Sequence, residues 1–179
     1  MSYLIPKDEL TLTDIRNFRS SAVEKGIARA LELKIAPDRL QLSVRPFFCL
    51  LDAQAATEQW NTAPLAVINT PYSVFQATAQ PVLLANKLAV FFKVGVETAP
   101  LPVAQLIFRS GGAAGNILAQ FDLEQLVNAL ETEGYFTEVV VIDPGRMFAI
   151  QVTARIATTV FARVQLGGLV IEPAGQLLA

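Results

Sequence analysis

Between residues 148 and 166 the chain alternates. Phe148, Ile150, Val152, Ala154 and Ile156, then Val160, Ala162, Val164 and Leu166, are apolar; Gln151, Thr153, Arg155, Thr159, Arg163 and Gln165 stand between them. A period of two puts one set on a dry face and the other on a wet face, the pattern of a half-buried strand. At 19 residues the run is too long for one ordinary strand. It predicts two strands meeting at a bend near Ala157-Thr158-Thr159, or one strand that changes sheet there. Gly167-Gly168 reads as a turn into a last short strand at 169–171, which Glu172-Pro173-Ala174-Gly175 ends.

Residues 88–96 alternate in the same way, with Leu88, Val90, Phe92, Val94 and Val96 on one face. Ala89, Phe91, Lys93 and Gly95 take the other. Further strands are expected at 41–51, with Pro46 marking an edge or a bulge, and at 65–68, 72–78, 103–108 and 135–142. Asn69-Thr70-Pro71 and Asp143-Pro144-Gly145-Arg146 are turn signals, the second of type II form with Gly at its third position. The glycine-rich stretch 109–116 has no GxGxxG or GK[ST] pattern and no strand-to-helix setting, so it reads as a connection between strands.

Two segments carry a helical period instead. After N-cap candidates at 11–14, Ile15, Phe18, Ala22, Val23, Ile27, Ala30 and Leu31 form a stripe at 3.6 spacing that Pro37 closes. Gly26 weakens its middle. The other face carries Arg16, Arg19, Lys25, Arg29 and Lys34 interleaved with Glu24 and Glu32, which reads as a solvated surface. Residues 1–9 before it read as a mobile arm. The second helix is expected at 122–133: Asp122 is the N-cap, Gln125 completes a capping box, Leu123, Leu126, Val127 and Leu130 share a face, and Gly134 ends it.

Many short strands, two helices and no regular βαβ alternation predict a mainly β chain. The expected fold is an antiparallel β-sandwich of jelly-roll type. The N-terminal helix lies outside it and the second helix is inserted between strands; an α+β fold is the alternative. Two regions follow: 1–40 as arm and amphipathic helix, 41–179 as the sandwich.

Composition narrows the chemistry. The chain has no histidine, which removes Ser-His-Asp and Cys-His catalysis and His-ligated metals. A single cysteine, Cys49 in PFFCLL, removes intramolecular disulfides and reads as a core thiol. The net charge of -2 gives no case for nucleic acid or an anionic membrane. No signal peptide is expected, since MSYLIPKDEL has no long apolar run, and no transmembrane segment, since prolines interrupt the uncharged stretch 60–86. A cytoplasmic chain, or one assembled into a particle, is therefore expected. Charged residues make up 17%, against about 25% in ordinary soluble domains. Residues 1–40 hold 7 of the 14 basic and 6 of the 16 acidic residues. The remaining body is poor in charge, and burial of its surface between copies is expected.

The segments GYFTEVVVIDPGRMFAIQVT and ARVQLGGLVIEPAG resemble the strand cadence of jelly-roll structural proteins of bacteriophages. The resemblance covers roughly the C-terminal third and implies a multimeric virion or appendage subunit. Cupins share the jelly roll, but their metal triad needs histidine.

Three functions remain. The first is a non-enzymatic structural or assembly subunit forming a homo-oligomer, with no cofactor and no bound metal. The second is a small-molecule or glycan-binding module, with Trp60, Tyr72 and Tyr135 as the rings that would stack on a ligand. The third is a carboxylate enzyme of glycosidase type, for which Asp52, Glu58, Glu97, Asp122 and Asp143 are candidates without a linking motif.

Overall fold

The computed structural model describes residues 3–55, 57, 60–74, 82–97, 101–129 and 132–175. Among them are ten strands and three α-helices. The strands are β1 (Leu4–Pro6), β2 (Leu42–Pro46), β3 (Asn61–Pro64), β4 (Pro71–Ser73), β5 (Leu88–Val96), β6 (Val103–Ser110), β7 (Asn116–Asp122), β8 (Glu133–Ile142), β9 (Phe148–Ala154) and β10 (Phe161–Pro173). The helices are α1 (Leu12–Glu32), α2 (Cys49–Asp52) and α3 (Glu124–Ala129). One sheet runs β1-β8-β5-β10-β2, with β3 also on β10; the other runs β4-β9-β6-β7.

The pairings show how the chain is wound. β2 and β3 occupy successive stretches beside β10, so together they act as one interrupted first strand. That first strand then pairs with the last, β4 with β9, β5 with β8, and β6 with β7, all antiparallel. Such nesting is a long hairpin rolled into two sheets, the jelly roll expected from the sequence. α3 sits in the crossover from β7 to β8.

The sandwich core lies between the sheets. Phe91, Phe108, Phe121, Phe136 and Phe148 are fully buried there, Phe121 and Phe136 stacked at 4.1 Å between centroids. A second core lies on the outer face of the larger sheet, where α1 lays Ala22, Ile27 and Ala30 against Leu88, Val90, Leu169 and Ile171. The helix runs through Gly26 without a break. Gly26 is buried on this face, where a Cβ would run into the ends of Ile171 and Val90, so its bare backbone lets helix and sheet approach.

The alternation at 148–166 becomes β9 and β10, and the bend between them carries the chain from one sheet to the other. Phe148, Ile150, Val152, Ala154, Ala162 and Val164 are buried as the period requires, whereas Ile156 and Val160, inside the bend, are exposed. Gln151 departs from the wet-face expectation: it is buried and accepts a hydrogen bond from Arg109 Nε at 2.9 Å.

Several expectations fail for local physical reasons. Gly167-Gly168 is no turn; both residues lie inside β10. They face a bulge in β5, where the pairing steps from Lys93 to Phe91, and their missing side chains make room for those two. The same bulge flips β5: Leu88, Val90 and Phe92 face α1, but Val94 and Val96 face the inter-sheet core with Ala89 and Phe91. The strand expected at 41–51 stops at Pro46, and Cys49 to Asp52 turn into α2. Residues 65–68 form no strand, β4 is three residues long, and 75–78 lie outside the described residues. β7 was not foreseen as a strand. Of the second helix the described residues show α3, after Asp122 at the end of β7, and Glu133 and Gly134 already belong to β8; a Cβ on Gly134 would strike Leu4. The arm is not free either: Leu4 to Pro6 pair with Phe136 to Gly134 as β1.

Candidate functional site

The strand pairings define two ends of the sandwich. β5 begins, β8 and β10 finish and β9 begins at one end; the bend between β9 and β10 lies at the other.

At the first end three charged side chains, Asp52, Lys87 and Glu172, are buried together, with Arg45 closing over them at 12% side-chain exposure. Leu42, Leu169 and Ile171 point toward α1, so Arg45 and Glu172 on the alternate positions of β2 and β10 point inward. Arg45 grips Asp52 of α2 with two bonds, Nη1 to Oδ2 and Nη2 to Oδ1, each 2.7 Å. Its Nε donates to Glu172 Oε1 at 2.8 Å. Lys87 Nζ stands 3.6 Å from Asp52 Oδ1 and 3.5 Å from Glu172 Oε2. The backbone N–H of Phe48 donates to Asp52 Oδ2 at 2.9 Å, which ties the start of α2 to the set. Two cations and two anions thus close on one another with little solvent. The hydrogen bonds to Asp52 hold the Arg45 guanidinium above its ordinary pKa against the opposing effect of burial. The set joins β2, α2, β5 and β10 and is saturated with its own partners. It ties these parts of the fold together.

Beside it runs the turn from β8 to β9. Gly145 has φ +66°, the left-handed value this turn needs. Asp143 accepts from Arg29 Nε at 3.1 Å and from Nη2 at 2.9 Å, anchoring the turn to the last part of α1, and these bonds raise the Arg29 pKa. α1 closes in a Schellman motif: Ile35 N–H donates to Ala30 O and Lys34 N–H to Leu31 O, both at 3.0 Å, with Lys34 left-handed at φ +56°. A cleft of about 310 Å³ lies between Lys34, Asn86 and Arg146. A second, of about 270 Å³, opens between the sheets.

The other end is apolar. The 65–70 loop lies along the bend, with Thr158 N–H donating to Leu65 O and Asn69 N–H to Ala154 O, both at 2.8 Å. The loop and the bend carry Val67 (56% exposed), Ile68 (51%), Ile156 (42%) and Val160 (54%), and Phe161 (40%) follows at the start of β10. The nearby charges are Arg155 and the Arg163–Glu97 pair, 3.7 Å apart.

The three aromatic candidates do not converge. Trp60 is buried and packs edge-on against Phe47 and Phe91 in the inter-sheet core. Tyr135 is buried on the opposite face of the larger sheet against Phe18 of α1, and burial, with Glu133 nearby, raises its pKa. The Tyr72 hydroxyl accepts from Val67 N–H at 2.9 Å and so braces the 65–70 loop. Each ring is occupied in packing or in holding a loop. Of the carboxylates, Asp52 belongs to the buried set, Asp143 to Arg29 and Glu97 to Arg163, and Asp122 accepts from Glu124 N–H at 2.8 Å. Glu58 lies outside the described residues. Cys49 is a buried free thiol. No helix among the described residues is long and apolar enough to cross a membrane.

Compared with protein-family models and with curated proteins, the chain matches none.

Proposed function

We propose that the protein is a structural or assembly subunit that works as a homo-oligomer. The observation that supports this reading is the apolar end. Five large aliphatic or aromatic side chains, each at least 40% exposed, lie on or beside a loop and a bend that backbone hydrogen bonds hold together. Scattered apolar residues are ordinary on a monomer, but a contiguous group marks a contact surface. The loop and bend that present the group are braced by hydrogen bonds, so the surface is pre-shaped. The resemblance of the C-terminal third to bacteriophage jelly-roll proteins agrees with this reading, and with a place in a virion or appendage.

A cyclic homo-oligomer is the expected arrangement, burying about 800 Å² per subunit, a standard interface. Light scattering on the purified chain tests it. A mass that is a multiple of 19.4 kDa at micromolar concentration is expected. A monomer under those conditions would overturn the reading.

A further inference from the structure

The outer strands of a sheet carry unpaired N–H and C=O groups that invite a further strand, and proteins blunt them with prolines, charges or short length. Among the described residues, four of the five outermost strands are blunted in that way. β1 has three residues and ends in Pro6, β2 ends in Pro46, β3 ends in Pro64, and β4 has three residues and begins with Pro71. Where β8 runs on beyond β1, it continues with the exposed charge of Glu138. β7 is the exception. Its seven residues, Asn116–Asp122, hold no proline, no Lys and no Arg, and the one charge, Asp122, stands at the end. Among the described residues it pairs with β6 alone. Ile117 is 52% exposed and Leu118 48%. The pairing with β6 has one bulge, at Leu118, and runs regularly from Ala119 to Asp122.

We propose that two copies of the chain pair along β7, antiparallel about a two-fold axis, and so join their four-stranded sheets into one. The strand is its own complement in this arrangement: the N–H and C=O groups that β7 turns away from β6 meet the C=O and N–H groups of the other copy. Antiparallel pairing holds the two Asp122 carboxylates apart, whereas parallel pairing sets them side by side at a cost. No Lys or Arg stands on β7 to draw an acidic peptide. The fitting partner is an uncharged strand, and a second copy supplies one. Ile117 and Leu118 gain cover in the same step. One strand edge buries less than a standard interface, so the pair is weak and transient. The contact uses none of the residues of the apolar end. Copies assembled through that end would present several β7 edges together and be linked by them.

Hydrogen–deuterium exchange on the full-length chain, read by mass spectrometry at micromolar and at millimolar concentration, tests the pairing at β7 itself. Exchange in β7 should slow about fivefold on concentration, as when most copies are paired at a dissociation constant of about 0.1 mM. Exchange in β2 should not change. Leu118→Lys puts a guarding charge on the edge. Leu118→Pro removes an N–H that β6 does not use, since Leu118 has no partner there. Either should abolish the slowing. Leu118 is exposed, so the Lys variant should unfold at the wild-type temperature. Val44→Lys, at an exposed position of β2, should leave the slowing intact. The readout is local, so a chain that is monomeric at micromolar concentration, which would end the apolar-end reading, still gives a result here. The proposal fails if concentration leaves exchange in β7 unchanged, or if β2 slows as much as β7. It fails too if Leu118→Lys keeps the slowing, or if Val44→Lys abolishes it.

Discussion

At one end of the sandwich Arg45, Asp52, Lys87 and Glu172 lie in or near the interior with their charges answered; at the other, Val67, Ile68, Ile156, Val160 and Phe161 are about half exposed to water. The usual placement of charge and apolar surface is reversed at both ends. A buried charge is tolerable only when its partners are buried with it, so the first end is locally complete. Exposed apolar surface is relieved only by something from outside, so the second end is not. The difference separates a region that is complete within this chain from the region that the proposed assembly would cover.

The most severe way to break the comparison is to remove one member of the buried set. Asp52→Ala leaves Arg45 and Lys87 facing Glu172 alone and should cost about 3–5 kcal/mol, read from urea unfolding. A loss under about 1 kcal/mol, the ceiling for most exposed pairs, would mean that solvent reaches the set and that the ends differ less than described. Gly168→Ala tests the ground between the ends. Its new Cβ would come within 2.6 Å of the ring of Phe91, and overpacking should cost about 1–3 kcal/mol in the same measurement.

Smaller effects belong to the apolar end. Thr11 and Asp14 form a capping box at the start of α1, with Thr11 N–H donating to Asp14 Oδ2 at 2.9 Å and Asp14 N–H to Thr11 Oγ1 at 3.2 Å. Thr11→Ala should cost about 1 kcal/mol. The Thr11 hydroxyl, donating to Asp14 Oδ2 at 2.6 Å, and then the Thr11 N–H hold the Asp14 carboxyl below its ordinary value. A lowered folded pKa adds stability that is complete above the ordinary carboxylate range and lost as pH falls through the folded value. The penalty of Thr11→Ala should therefore shrink in acid, which unfolding at neutral and at strongly acidic pH will check. The least effect on stability and the largest on mass should come from Ile68→Asp with Val160→Asp. Each should change unfolding by no more than about 0.5 kcal/mol, while light scattering shows the assembly falling to monomers. An unchanged mass would place the contact surface elsewhere.

Much of the fold was legible because water writes it into the chain. The bend between β9 and β10, the cap of α1 and the turn at Gly145 follow from periodicity and local backbone chemistry. Features that depend on a distant neighbour were not legible. Apolar residues occupy both faces of β5, and Lys93, the strand's one charge, sits at the bulge where it reads as an ordinary wet-face residue, so the exchange of faces leaves no local signal. Gly134 and Gly168 read as punctuation, yet each is a glycine because a side chain from elsewhere, Leu4 or Phe91, fills the space. Trp60 and Tyr135 were candidates because aromatic rings bind ligands, and burial between elements far apart in sequence claimed them first. The buried charge set did leave a trace. Residues 41–90 contain only Arg45, Asp52, Glu58 and Lys87 as charges, and three of these four enter the set. A lone charge in so apolar a stretch requires a partner.

The place of β10 in the winding has a consequence for how the chain is made. It is the last of the ten strands to leave the ribosome, yet it lies inside its sheet, between β5 and β2, and it supplies Leu169 and Ile171 to the seat of α1. Until it emerges, β5 has an open edge and the helix has half a surface to settle on. Synthesis at about 5–20 residues per second separates β2 from β10 by on the order of ten seconds. During that interval a strand as apolar as β5 is exposed to every neighbouring nascent chain, and pairing at such long sequence separation is slow even after the chain is complete. Yield in the cell should then depend on translation speed through the middle of the message, and slower passage there should send more of the product into aggregates.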